Sequence, residues 1–376
     1  RRELRAQVRG RLGLQALLGE PAAALEPYLG GKSAWEAVLT IPTRRRERRN
    51  APPFALDLNS DLRGIAIRLP APLGKTADEV RPLKIGLHPL AEGASLHVAL
   101  DYGPSVRAAL ELSDFSRRPR FERGELRIDA GAAKLPDAPG LAVVANLPRW
   151  NPQIPVGPPG ASEIGGAPAK RRAASANNGE PKTASAWSFL RSVDVRIGEL
   201  VIGGRTFAGV KLQASRQEDG MRIECEGESL SGRVTVPDEP TPQRPVNAAL
   251  QRLHIGRAVE RIAERAPFAG VDPRRLPPLV LTVADLRVEE ATLGRLRLIA
   301  VPRPGGIHLT GISLDSARQR IAASGEWWAT EAGQASKLKA TLHSEALGET
   351  LATFGYPGSG VDRGETEADL AVQWGA

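Results

Sequence analysis

The sequence predicts a mostly β protein: an elongated, curled antiparallel sheet of repeated β-meanders that forms a hydrophobic groove, with a few short helices. Three observations carry this expectation. Residues 195–223 and 281–309 repeat one apolar pattern in register at an offset of 86 residues. Leu200 matches Leu286, Ile202 matches Val288, Val210 matches Leu296, Leu212 matches Leu298, and Gly220 matches Gly306. The apolar positions step by two with a turn after each run, the period of a half-buried strand and not of a helix. The chain also holds 31 Pro and 39 Gly, which punctuate short strands and do not suit a helical bundle. Aromatic residues make up only 4%, so Leu, Val, Ile and Ala must fill the interior.

The elements follow in order. Residues 8–12 read as the end of a strand, and Leu14–Tyr28 has helical spacing broken at Pro21. Trp35–Ile41 alternates as a strand, and the basic run Arg44–Arg49 reads as an exposed loop. Phe54–Leu58 and Leu62–Leu69 alternate and predict a hairpin bent near Asn59-Ser60-Asp61. Strands are expected at Leu83–Leu87, Leu96–Tyr102, Val106–Leu112, Leu126–Ala130 and Leu141–Leu147, mostly at the spacing of an all-β chain. Pro152–Thr183 is rich in Pro, Gly, Ala, Ser and Asn and reads as a flexible insert. Ala186–Leu190 predicts a short helical turn before the first meander; Val246–Ile255 predicts a strand, and Ala258–Glu264 a helix. Ser344 can cap a helix over Glu345–Phe354, with Gly355 as its stop, and Ala368–Trp374 predicts a last strand. Three segments result: an N-terminal β-groove segment over 1–151, the insert over 152–186, and the repeated meanders over 187–376.

The chain of 376 residues carries a net charge of +8, mostly from Arg. Its basic clusters lack the interleaved aromatics of a single-stranded nucleic-acid groove, so no nucleic-acid partner is expected. The one cysteine, Cys225, rules out an internal disulfide and a multi-cysteine zinc site. No stretch approaches the roughly 18–20 apolar residues of a membrane span. A chain that opens on Arg1-Arg2-Glu3 reads as an internal piece of a larger protein, whose anchor would lie outside it.

Gly31-Lys32-Ser33 and Gly74-Lys75-Thr76 lack the earlier glycine of a phosphate loop, since Glu26 and Leu69 stand there. The five histidines are scattered, with His97, His254 and His308 on the polar side of alternating strands. Ser359 lacks the context of a nucleophile elbow, and Glu289-Glu290 is expected to face opposite sides of a strand. The expectation is therefore no enzyme, no catalytic residue, no metal and no cofactor.

A sheet with one apolar face remains. About 20 strands spaced about 4.8 Å apart extend on the order of 100 Å. A trough of that kind suits a lipid tail, because each methylene withdrawn from water is worth about 0.8 kcal/mol. The candidate lining positions are Leu200, Ile202, Val210, Leu212, Leu286, Val288, Leu296 and Leu298. Which alternate set faces inward stays open, because a one-residue slip inverts the assignment.

Several segments carry a family resemblance. Ser60-Asp61-Leu62-Arg63-Gly64-Ile65 through Leu69-Pro70-Ala71-Pro72-Leu73-Gly74-Lys75 resembles an element of YhdP-like proteins of the AsmA superfamily. Gly198-Glu199-Leu200 with Phe207, Asp272-Pro273 through Leu276-Pro277, and Leu279–Val288 are similar to further elements of that family. So are Leu347–Tyr356, Gly364 and Leu370–Trp374. The resemblance implies a segment of a large protein anchored in the inner membrane of Gram-negative bacteria, mostly periplasmic, that conducts phospholipid toward the outer membrane. It implies phospholipid and the membrane as partners, with envelope proteins as further ones. The rival expectation is an envelope assembly scaffold whose sheet edges recruit proteins without carrying lipid.

Overall fold

The computed structural model describes residues 3–14, 28–42, 53–69, 71–90, 95–115, 119–151, 189–202, 205–256, 272–317, 319–330, 333–348 and 365–375. The expected helices over Leu14–Tyr28 and Ala258–Glu264, the basic loop at Arg44–Arg49 and the insert lie almost wholly outside them. Contacts divide the chain into two compact units: Arg1–Leu147 with Phe189–Val195, and Pro148–Ser188 with Arg196–Ala376.

In the first unit, β1 (Glu3–Leu12) pairs with β3 (Ser33–Pro42), which pairs with β4 (Ala55–Ser60). The ladder continues through β6 (Leu83–Pro89), β7 (Ser95–Tyr102), β8 (Val106–Ser113) and β9 (Arg120–Ile128) to β10 (Gly140–Trp150). The expected hairpin between residues 54 and 69 does not form. β4 pairs with β6, whereas β5 (Ile65–Ile67) pairs with β2 (Leu29–Gly31) in a separate two-stranded sheet. Leu62 adopts a left-handed φ of 54° and turns the chain out of the ladder at the very place where alternation suggested a continuing strand. Gly31 and Gly64, with φ of 93° and 92°, let β2 and β5 meet; a Cβ on Gly31 would lie 1.9 Å from the Gly64 carbonyl oxygen.

The second unit carries the repeat. β11 spans Leu190–Ile202, and the expected helical turn over Ala186–Leu190 lies mostly outside the described residues. β12 (Arg205–Gln217) and β17 (Ala291–Arg303) occupy corresponding residues of the two copies, and β13 (Gly220–Glu226) and β18 (Gly306–Asp315) start at the matched glycines. Around them run β14 (Leu230–Pro237), β15 (Val246–Ile255), β16 (Leu279–Val288), β19 (Gln319–Thr330), β20 (Gly333–Ser344) and β21 (Thr366–Gly375). Neighbours from β12 to β21 pair in chain order. Glu289 and Glu290 sit in the turn between β16 and β17, Glu289 with a φ of 55°; they are not strand residues. The Ser344 hydroxyl accepts from the Ala346 amide at 3.1 Å, as the cap of the expected helix should, while Leu347–Phe354 lies mostly outside the described residues.

The mostly β class of repeated meanders holds. It is mixed and not purely antiparallel, because β9 and β10, and β15 and β16, run parallel. A parallel step forces the connection to return the full length of a strand. The only named helical element among the described residues is a 3-10 turn at Pro273–Arg275, capped by the Asp272 carboxylate.

Candidate functional site

Residues directly paired across a ladder share a face, so the register assigns every strand residue to one side. In the second unit one such row runs from Ala214 through Ile223, Val234, Ala248, Leu281, Leu298, Ile312, Ala323 and Ala340 to Leu370. It crosses β12 to β21 without a charged residue, over roughly 40 Å at about 4.8 Å per strand. The adjacent row holds Leu212, Cys225, Gly232, Leu250, Val283, Leu296, Leu314, Ile321 and Leu342. The opposite face of the same strands carries Glu224, Arg233, Thr282, Arg297 and Ser313.

The first unit is built alike. Val8, Ala37, Leu58, Ile85, Leu100, Ala108, Leu126 and Val143 form one row across β1 to β10. Asn59, Lys84, Asp101, Arg107 and Arg127 form the row behind it. Most of the apolar row positions are half-buried, neither sealed in a core nor open as lone surface residues. A sandwich would bury such a face under a second sheet. Among the described residues one large sheet carries these rows, and most of the row positions stay half-buried.

The connection between β9 and β10 avoids the apolar side. Residues 129–139 must return along β9, and they do so over the polar face. The Arg127 guanidinium donates to the Ala130 carbonyl at 2.9 Å, and the Glu125 carboxylate accepts from the Lys134 amide at 2.7 Å. Arg123 donates to the carbonyls of Pro136 and Asp137 at 3.0 and 3.2 Å. These three residues alternate along one side of β9, each pinning the next stretch of the crossing. Arg127 holds the Glu125 carboxyl below the usual glutamate range, and Arg123 does the same to Glu111.

The eight candidate lining residues do not share one environment. Leu286, Val288 and Leu296 join one apolar cluster with Val283, Leu293 and Leu314. An irregularity between Val283 and Leu286 keeps both on the apolar side. Gly294, with a φ of 88°, makes the matching kink in β17. Leu298 and Leu212 stand on the rows just described, and Leu200 and Val210 are buried. Ile202 lies at the end of β11 and is exposed at 37%. The first unit carries further lining positions, and the alternation in β4 and β6 to β8 signals them in the sequence.

His97 pairs directly with His88 on the polar face, and burial, aided by His88, lowers the His97 pKa. His254 meets Asp285 at 2.8 Å on that side of the second unit. Neither pair gathers the three ligands that would hold a metal ion, and no such group occurs among the described residues. Nor is any described helix long and apolar enough to cross a membrane.

The model of the YhdP protein family matches residues 1–376. The chain belongs to the YhdP family. No curated protein and no solved structure matches it. In this YhdP-family chain the element resembling Ser60–Lys75 proves to be a compact lock. Lys75 is buried, and its ammonium donates to the carbonyls of Leu62, Ile65 and Thr76 at 3.0, 2.5 and 2.7 Å. Burial pushes its pKa down, against the opposing pull of Glu79.

Proposed function

We propose that this chain is a segment of an envelope protein that shields phospholipid tails on its apolar sheet face and lets them pass between the inner and outer membranes. The observation that supports it is the uninterrupted, mostly half-buried apolar row that crosses the strands of each unit. A diacyl lipid with about 30 methylenes costs more than roughly 20 kcal/mol to expose to water. A path of aliphatic side chains lowers that cost without bond chemistry, so the reading requires no enzyme, metal or cofactor. Attachment to the inner membrane would come from sequence outside this chain, with the present part in the periplasm.

Leu298 and Leu212 test this directly. Leu298→Asp and Leu212→Asp each place a carboxylate among aliphatic neighbours, and both should stop lipid transfer between donor and acceptor vesicles while the β circular dichroism persists. Normal transfer by both aspartate variants, with no lipid in the purified protein by mass spectrometry, would instead support a scaffold. That second reading draws on β1, whose Leu4 and Val8 are exposed and whose strand pairs only with β3 among the described registers.

A further inference from the structure

The two copies of the repeat differ at one end of the second unit's strands. β12 pairs with β13 only as far as Lys211 and Glu226, and β14 takes up β15 at Leu230 and Leu253. The hairpin of β13 and β14 therefore stops short, while β12 runs on to Arg205 and β15 to Ile255. In a flat sheet β12 and β15 would stand about 14 Å apart, three ladder spacings. One side chain closes that gap. The Arg205 guanidinium donates to the Gly256 carbonyl and lies 3.9 Å from the Glu289 carboxylate. Glu289 is seated beside the same strand end, its amide donating to the Ile255 carbonyl at 2.7 Å.

The bend that brings Arg205 across lies at Gly209, whose φ is 60°. A Cβ there would meet nothing within 4 Å, so the glycine serves the backbone bend and not a close approach. Next to it Val210 covers the hairpin tip, with a methyl 3.4 Å from where a Cβ on Gly227 would stand. Phe207 and Val210 are both buried in this overhang. Arg205 shares its side of the strand with Phe207, which matches Leu293 of the apolar cluster. The tie thus crosses on the apolar side. In the second copy Ala291 stands in the place of Arg205 and pairs with Val288; its methyl group can make neither polar contact.

We infer that Arg205 is a stay: it draws the overhang of β12 to the turn between β16 and β17 and sets how far this end of the apolar face opens. A guanidinium suits the part, because its fork of donors reaches a carbonyl and a carboxylate at once. Both charged groups keep contact with water, at 30% and 45% side-chain exposure, so the tie is weak enough to release. The consequence for lipid rests on the reading above: a released stay admits a tail between β12 and β15 that a fastened one keeps out.

The test measures the span itself in the whole chain. Ala208→Cys and Glu290→Cys, at exposed positions of a Cys225→Ala background, carry nitroxide labels whose separation is read by electron–electron dipolar spectroscopy. With Arg205 in place the distances should be narrowly distributed. Arg205→Met should broaden them and lengthen the mean by roughly one strand spacing, about 5 Å. Salt at about 1 M screens the ion pair without any substitution and should shift the distances the same way, but less. Arg205→Glu should act like Arg205→Met, and adding Glu289→Arg to it should recover part of the narrow distribution. Distances unchanged by Arg205→Met and by salt overturn the stay. Arg205→Met should also take up phospholipid from phosphatidylethanolamine–phosphatidylglycerol vesicles faster than the unsubstituted chain. Equal uptake despite a longer span overturns the part of the stay in lipid passage. No uptake by either protein overturns the lipid reading, while the distances still decide the stay.

Discussion

The two units reach the same apolar face by different means. The second stacks a repeated meander, with short turns joining β12 to β13 and β16 through β20; its buried residues gather in a cluster around Val283, Leu286, Leu293 and Leu314. The first is not a copy of it. It adds a plug over 61–82 and a crossing over 129–139, each held by side chains that hydrogen-bond to backbone groups. Repetition produces a surface, and the added segments decide which parts of that surface remain reachable.

The largest effect should come from breaking the plug. Lys75→Met strips three carbonyls of their donor, two of them in buried contacts, at about 3 kcal/mol once their desolvation is counted. Hydrogen exchange should quicken first at the amides of Ile67 and Lys75, which each donate to the other's carbonyl across the turn. Unchanged protection there would remove Lys75 as the lock. The strands of the second unit should be unaffected, which tests the division into two units.

Within the second unit, Leu293→Ala and Leu298→Ala separate cluster from floor. Leu293 is buried in the cluster, so truncation should cost about 2–5 kcal/mol. Leu298 is half-buried and should cost well under half as much, roughly in proportion to the smaller area it withdraws from water. Equal losses in urea titrations would mean that the floor is packed as a core, and the accessible face would have to be abandoned.

The smallest expected effect concerns the crossing. Glu125→Gln weakens the charge-assisted bonds to Arg127 and to the Lys134 amide, by roughly 1–2 kcal/mol in that segment. Glu125 and Glu111 both have folded pKa values below their ordinary range. Their contribution is therefore fully present above the unfolded glutamate value of about 4.3 and fades as pH falls through the lower folded value. Acidification should release residues 129–139 to exchange before β9, and Glu125→Gln should flatten that response. A crossing equally protected at pH 3 and pH 7 would show that the carboxylates do not hold it.

Much of this was legible in the chain. The match of Leu212 with Leu298 and of Gly220 with Gly306 located β12, β13, β17 and β18, because a period of two with a turn at a fixed place has few other physical solutions. Alternation likewise located β3, β7, β8 and β15. It failed at Leu62–Leu69, where the pattern continues but a left-handed Leu62 and the Lys75 contacts redirect the backbone. It failed also at Glu289-Glu290, since a two-residue turn between strands carries no periodicity of its own. Ile202 and Leu200 looked equivalent, yet one ends a strand in solvent and the other is buried; strand ends are set by neighbours and not by alternation.

By itself, then, the sequence determined that the chain is mostly β, that it repeats, and that each strand has an apolar and a polar side, because these follow from local spacing. The tertiary structure decided that the crossing after β9 lies on the polar face and that Lys75 locks a plug over one end of the first unit. Both depend on carbonyls meeting guanidinium or ammonium groups across stretches of chain that no local pattern links.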